Sequence, residues 1–165
     1  MNNIGIIAGG GDLPIAIAEN LIKKNFKVIF FVIEDFYNVK IYKKFDVKII
    51  NLHSAKKIIE SLKYNNITDI IMVGNIVRPS ITDLSLDLQT FKLAKNLLLN
   101  KTGDNDLLIS IKNFFIENGF NYFNWKAYCP ELFANDIYLT KIKPSRIAKK
   151  NLEKALAVFK IFGKL

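Results

Sequence analysis

Three short segments carry residue types that could do chemistry. The first is Gly9-Gly10-Gly11-Asp12-Leu13-Pro14. An apolar run, Ile4 to Ala8, leads into it, and a second apolar stretch with helical spacing follows. Strand, glycine loop, helix is the order that brings backbone close to a ligand and turns amide N–H groups toward an anion. The segment is close to the dinucleotide fingerprint G-x-G-x-x-G, but Pro14 stands at the third glycine, whose role there is tight helix–strand packing. The reading is therefore a phosphate-type ligand rather than an ordinary dinucleotide; a tight turn with no ligand is the alternative. Glu34 or Asp35 lies at the end of the next apolar run, where a ribose-binding acid would sit.

The second segment is Gly74-Asn75-Ile76-Val77-Arg78-Pro79. Arg78 could hold a phosphate through two parallel N–H···O bonds; a surface arginine held stiffly before a proline is the plain alternative. The third is Gly103-Asp104-Asn105-Asp106, which suits a metal contact or, on residue type alone, a helix cap. His53, the single histidine, has no acidic or cysteine partner nearby and reads as a helix-start residue. Cys129, the single cysteine, reads as a small buried residue: it excludes an internal disulfide and a cysteine metal cluster. No G-x-S-x-G elbow occurs.

The elements that must position these segments follow from patterning. Strands are expected at Ile4–Ala8, Lys27–Ile33, Val47–Ile50, Asp69–Val73 and about Asn121–Trp125. Lys27–Ile33 is almost continuously apolar, as in a parallel strand covered on both faces. A helix begins at Leu13 or Pro14, where proline suits the first turn, and runs to about Lys24. Its expected buried residues are Ile15, Ile17, Ala18, Leu21 and Ile22. A second helix follows Ser54, a good N-cap, and buries Ile58, Ile59 and Leu62. Further helices are expected over 87–99, over 106–118 (burying Leu107, Leu108, Ile111 and Phe115, with Gly119 just past its end) and from Pro144-Ser145 to Phe162. Strand-then-helix units in series predict a three-layer, Rossmann-like α/β domain with a mostly parallel sheet of about five strands. Both glycine segments then fall at the carboxyl edge of the sheet, where open α/β sheets bind ligands.

The 165 residues suit one domain with a real core, and half are apolar, which excludes disorder. The net charge of +9 suggests anionic partners, but lysine-rich, solvated helix faces are the favoured reading. The lysines are scattered and lack an aromatic-interleaved cluster, so nucleic acid is not expected. The N-terminus enters a strand pattern directly, and no apolar run reaches the roughly 18 residues of a bilayer span, so a cytoplasmic location is expected.

Together the segments resemble the UDP-2,3-diacylglucosamine pyrophosphatases of lipid A biosynthesis, the two-domain type. Ile7-Ala-Gly-Gly-Gly-Asp-Leu-Pro14 looks like that family's opening. Gly74 through Arg78-Pro79 is similar to its glycine–hydrophobic–Arg-Pro segment. Gly103-Asp104 with Leu107-Leu108 is similar to its Gly-Asp-Asp-x-Leu-Leu segment, and Pro130-Glu131-Leu132, Leu139 and Pro144-Ser145 fit its later stretch. The resemblance implies a metal-dependent hydrolase, usually using magnesium, that cleaves UDP-2,3-diacylglucosamine to UMP and 2,3-diacylglucosamine 1-phosphate. It also implies a peripheral contact with the inner membrane. Gly9, Gly10, Gly11, Asp12, Leu13, Pro14, Gly74, Asn75, Arg78 and Asp104 would then bind substrate. Departures are Asn105 at the second Asp of the family's pair and Asn151-Leu152 where an Asp-Ile pair is expected.

The family's second domain would begin just past Leu165, and its acidic, metal-linked residues are expected there. The expected organisation is a Rossmann-like domain over 1–145 and a helix over 146–165 leading toward that second domain. Expected partners are the UDP-linked diacylated sugar and either a homo-oligomer or a separate second-domain chain. A non-catalytic nucleotide-binding module and a Rossmann oxidoreductase are the alternatives.

Overall fold

The structure, a computed structural model, describes residues 3–76, 87, 90, 104–133 and 141–162. The chain divides into two compact units, Met1–Leu132 and Phe133–Leu165. The first holds a five-stranded sheet of β1 (Asn3–Ala8), β2 (Lys27–Ile33), β3 (Asp46–Ile50), β4 (Ile67–Val73) and β5 (Asn121–Tyr122). Its order is β3-β2-β1-β4-β5, and every pairing is parallel. The expected mostly parallel sheet is thus wholly parallel.

The apolar run of β2 works as two interleaved faces, because successive side chains of a strand point to opposite sides. Ile29, Phe31 and Ile33 face one core with α3 (Ala55–Tyr64) and α4 (Asp104–Glu117). Val28, Phe30 and Val32 face the other with Ile17, Ala18 and Leu21 of α1 (Leu13–Lys23). Phe30 and Phe31 are both fully buried, each worth roughly 2–3 kcal/mol of transfer free energy. A short helix, α2 (Val39–Tyr42), lies between β2 and β3 and sends Tyr42 into the second core.

Local signals set the element ends. Pro14 occupies the first turn of α1. Ser54 caps α3, its side chain accepting from the Lys57 amide at 3.3 Å. Gly119 has φ +93° just past α4, the left-handed conformation that suits a helix C-terminus.

Some expectations need correction. Ile22 and Leu108, expected in the core, are exposed. The stripe of α1 that faces the sheet is taken by Pro14, Ile17, Ala18 and Leu21, and the stripe of α4 by Phe114 and Phe115. The fifth strand stops at Tyr122, since it pairs with β4 over two residues only, and Trp125 instead begins a 3-10 turn, Trp125–Tyr128. Of the helix expected over 87–99, all but Asp87 and Thr90 lies outside the described residues. The second unit contains α5 (Arg146–Phe162).

Candidate functional site

In a sheet of this order the chain steps outward from β1 through β2 to β3, then returns to the other side of β1 with β4. The reversal lies between β1 and β4, and the crevice at their carboxyl ends is where doubly wound sheets take ligands. β1 ends at Ala8 and runs into Gly9-Gly10-Gly11. β4 ends at Val73 and runs into Gly74-Asn75. The two glycine segments singled out in the sequence therefore meet at the switch point.

They are also fastened together. The Gly9 amide donates to Val73 O at 3.0 Å. Gly10 and Asn75 exchange both backbone hydrogen bonds, at 2.8 and 2.9 Å. This small antiparallel bridge joins the outgoing ends of two parallel strands. It explains why glycine is needed there. A Cβ on Gly9 would lie 2.1 Å from the Asn75 carbonyl oxygen, a distance that no real structure tolerates. Gly74 has φ +101°, and a Cβ on it would come within 2.8 Å of Gly10 O.

The bridge also sorts the candidate donors. The Gly9 and Gly10 amides are consumed by the protein, and proline has no amide hydrogen. The amides of Gly11, Asp12 and Leu13 have no hydrogen-bond partner among the described residues, and all three residues are exposed. These are the amides at the N-terminus of α1, where an unpaired cluster of N–H groups and the helix dipole favour negative charge. Asp12 sits at the cap position and makes no side-chain cap bond.

Phe36 completes the loop's floor, a residue that the sequence reading did not single out. It closes the 3-10 turn Glu34–Phe36 directly after β2, and a Cβ on Gly10 would approach its ring to 2.7 Å. The only signal in the sequence was a bulky aromatic right after the acidic pair. Glu34 itself is exposed and accepts a hydrogen bond from Asn51 Nδ2 at 3.1 Å; Asp35 is exposed.

A second polar cluster sits after β3. Asp87 accepts from Ser54 Oγ at 3.0 Å, from Thr90 Oγ1 at 2.6 Å and from the Thr90 amide at 2.8 Å. Thr90 Oγ1 in turn accepts from the Ala55 amide at 2.8 Å. This cluster closes the N-terminus of α3 and is structural. His53 stands beside it, exposed, with its backbone amide bonded to Asn51 Oδ1 at 2.8 Å. Cys129 is fully buried, and its thiol is pushed up from its ordinary 9.0 by burial first, then by Glu131, with Lys24 opposing. That is the environment of an inert core thiol, not of a nucleophile.

Arg78 lies outside the described residues, as does the side chain of Asp104; the backbone of Asp104 is the first residue of α4. Among the described residues no three His, Cys, Asp or Glu side chains converge as a metal site needs.

Residues 3–132 match the LpxI N-terminal domain. The chain belongs to that family. The match covers the sheet, both glycine segments and α4, and it ends where the first compact unit ends. The chain is also similar to the UDP-2,3-diacylglucosamine pyrophosphatase LpxI of Caulobacter vibrioides, with 25% identity over 168 residues. That similarity covers 100% of this chain and 59% of the relative. The chain thus spans less than two thirds of the relative it matches. The LpxI resemblance read from the Gly-Gly-Gly-Asp-Leu-Pro loop and its companion segments holds at the level of family. No helix among the described residues is long and apolar enough to cross a membrane.

Proposed function

We propose that this chain is the substrate-binding N-terminal half of a UDP-2,3-diacylglucosamine pyrophosphatase of lipid A biosynthesis. One observation carries the reading. In a member of the LpxI N-terminal domain family, two glycine segments are tied together at the sheet's switch point, and beside them lie helix-start amides with no hydrogen-bond partner among the described residues.

In this reading the amides of Gly11, Asp12 and Leu13 bind the diphosphate. Gly9, Gly10, Gly74 and Asn75 hold the loop in shape rather than touching charge. The Asp12 carboxylate would repel a phosphate, so it suits a donor on the same ligand, such as a ribose hydroxyl. Arg78 adds positive charge from the second segment, and Asp104 contacts water or a metal in this reading. The reaction is hydrolysis: water adds at one phosphorus, the P–O–P bond breaks, and UMP and 2,3-diacylglucosamine 1-phosphate leave.

Magnesium enters as part of the proposal only. The described residues do not form a cluster able to hold it, so its ligands are assigned to other acidic groups, and no step is derived through it. The second domain carried by the family's two-domain type would complete the site. The 165-residue chain alone binds but does not turn over, and it works on the cytoplasmic side of the inner membrane, where a diacylated sugar is presented.

The test is calorimetric titration with a UDP-sugar, UMP and NAD. Binding of the uridine ligands without NAD is expected. NAD binding alone would overturn the reading in favour of an oxidoreductase. Magnesium-dependent UMP release by the purified chain would sink the claim that it is inactive by itself.

A further inference from the structure

One acidic residue at the sheet edge has no part in the function proposed above. Glu34 is the first residue after β2, on the side of the glycine loop away from β4. Ala8 of β1 pairs with Val32 of β2, so Gly10 and Glu34 each lie two residues beyond that pair. Phe36 holds the two segments together, because its ring lies against Gly10. The turn that carries Glu34 and Phe36 is closed by the Tyr37 amide, which donates to Glu34 O at 3.1 Å. Glu34 therefore keeps a fixed place beside the loop.

Its carboxylate is aimed as well. Ile33 pairs with Ile50 at the end of β3, so Glu34 and Asn51 are the next residues on adjacent strands. Asn51 Oδ1 accepts from the His53 amide at 2.8 Å, and Asn51 Nδ2 donates to Glu34 Oε2 at 3.1 Å. A side-chain amide engaged at both ends cannot turn round without losing both bonds. Glu34 Oε1 has no partner among the described residues, and Glu34 is exposed. Nothing among the described residues holds the side chain of Asp35, the neighbouring acid, in the same way.

A carboxylate repels phosphate, so Glu34 marks an uncharged part of a ligand whose phosphates sit at the start of α1. A fixed carboxylate with a free oxygen suits adjacent hydroxyls, each of which donates one hydrogen bond. We propose that Glu34, aimed by Asn51, receives the ribose diol of the uridine nucleotide, and that Asn51 is a positioning residue. The nucleoside then leaves the glycine loop on the β2 side, and the sugar-lipid half of the substrate lies toward β4 and its Gly74-Asn75 segment. Asp12, which also suits a hydroxyl, lies at the phosphate end of the ligand and is the comparison. The inference rests on the nucleotide reading of the loop and adds the residue that tells a ribonucleotide from its deoxy analogue.

The experiment is calorimetric titration of the full 165-residue chain with UMP, 2′-deoxy-UMP and inorganic pyrophosphate. The parent should bind UMP about tenfold more tightly than 2′-deoxy-UMP, the worth of one hydroxyl on a charged acceptor. E34Q should cut that preference to about twofold and leave pyrophosphate binding within about twofold of the parent's. N51D keeps the oxygen that receives the His53 amide but presents a second acceptor to Glu34. It should lose the preference to the same extent, and D12N should keep it. All three variants change exposed residues, and urea unfolding curves that match the parent's confirm that they fold. A parent that binds UMP and 2′-deoxy-UMP equally, or an E34Q or N51D variant that keeps the parent's preference, overturns this proposal and leaves the phosphate site standing. Loss of the preference in D12N with E34Q unchanged moves the diol to Asp12 and overturns it too. A parent that binds neither UMP nor pyrophosphate overturns the proposed function and this inference together.

Discussion

Gly9→Ala is the substitution that most sharply tests how the loop is built. The added Cβ would sit 2.1 Å from Asn75 O, 2.8 Å from Asn75 C and 3.0 Å from Ile76 Cγ2. The nearest atoms are backbone, so no side chain can swing aside; the two loops must separate by about 1 Å to restore normal contact. That separation breaks the paired Gly10–Asn75 bonds and loosens Gly9 N to Val73 O. Each bond is worth about 1 kcal/mol net. With residual strain the loss should be about 2–4 kcal/mol. For a chain of this size it lowers Tm by on the order of 5–15 °C. Urea unfolding and amide hydrogen exchange are the assays. Gly11→Ala is the control. Gly11 has φ +98° but nothing within 4 Å of its Cβ position, so that variant carries backbone strain on the order of 1–3 kcal/mol and leaves the bridge intact. Gly10 and Asn75 amides should lose exchange protection in Gly9→Ala and keep it in Gly11→Ala. Protection unchanged in Gly9→Ala, with an unchanged urea midpoint, would refute the fastening of the two loops.

Two further expectations concern the frame around the site. Ser54→Ala removes the cap of α3 and a hydrogen bond to Asp87 and should cost about 1–2 kcal/mol in urea unfolding; a loss below a few tenths would show that the cluster does not hold the helix start. Cys129 should resist alkylation in the native protein and react at once in denaturant, as a fully buried thiol must. Its pKa is raised in the folded state. The folded protein therefore holds the thiol proton more tightly, and the stabilisation is complete below about pH 9 and lost as the pH climbs through the raised value. The parent should lose stability relative to Cys129→Ala as the pH is taken above 9, and parallel pH profiles would contradict this.

Much of the fold was legible because local and global signals agreed. The unbroken apolar run of β2 announced a strand covered on two faces, and Phe30 and Phe31 do point to opposite cores. Pro14 and Ser54 marked helix starts by chemistry that acts over one turn. What stayed hidden depends on distant residues. Periodicity places Ile22 and Leu108 near an apolar stripe, but which side chains the sheet covers is settled by neighbours far along the chain. The hydrogen bonds from Ser54 to Asp87 and from Ala55 to Thr90 span 33 and 35 residues.

The candidate site shows the same division. Glycine content marked both loops, and the parallel order brought them together. No sequence pattern revealed that the Gly9 and Gly10 amides are spent on Val73 and Asn75, nor that Phe36 packs against Gly10. The donor group consequently narrows from the whole loop to the three residues that start α1.

The central claim is that those three amides receive the diphosphate of a uridine nucleotide sugar. Amide NMR of the labelled chain, titrated with a UDP-sugar, tests it most directly. The account predicts shifts centred on Gly11, Asp12 and Leu13, smaller ones at Asn75 and Ile76, and none at the α3 cap around Ser54. Shifts that bypass residues 11–13, or appear with NAD and not with the UDP-sugar, would contradict it.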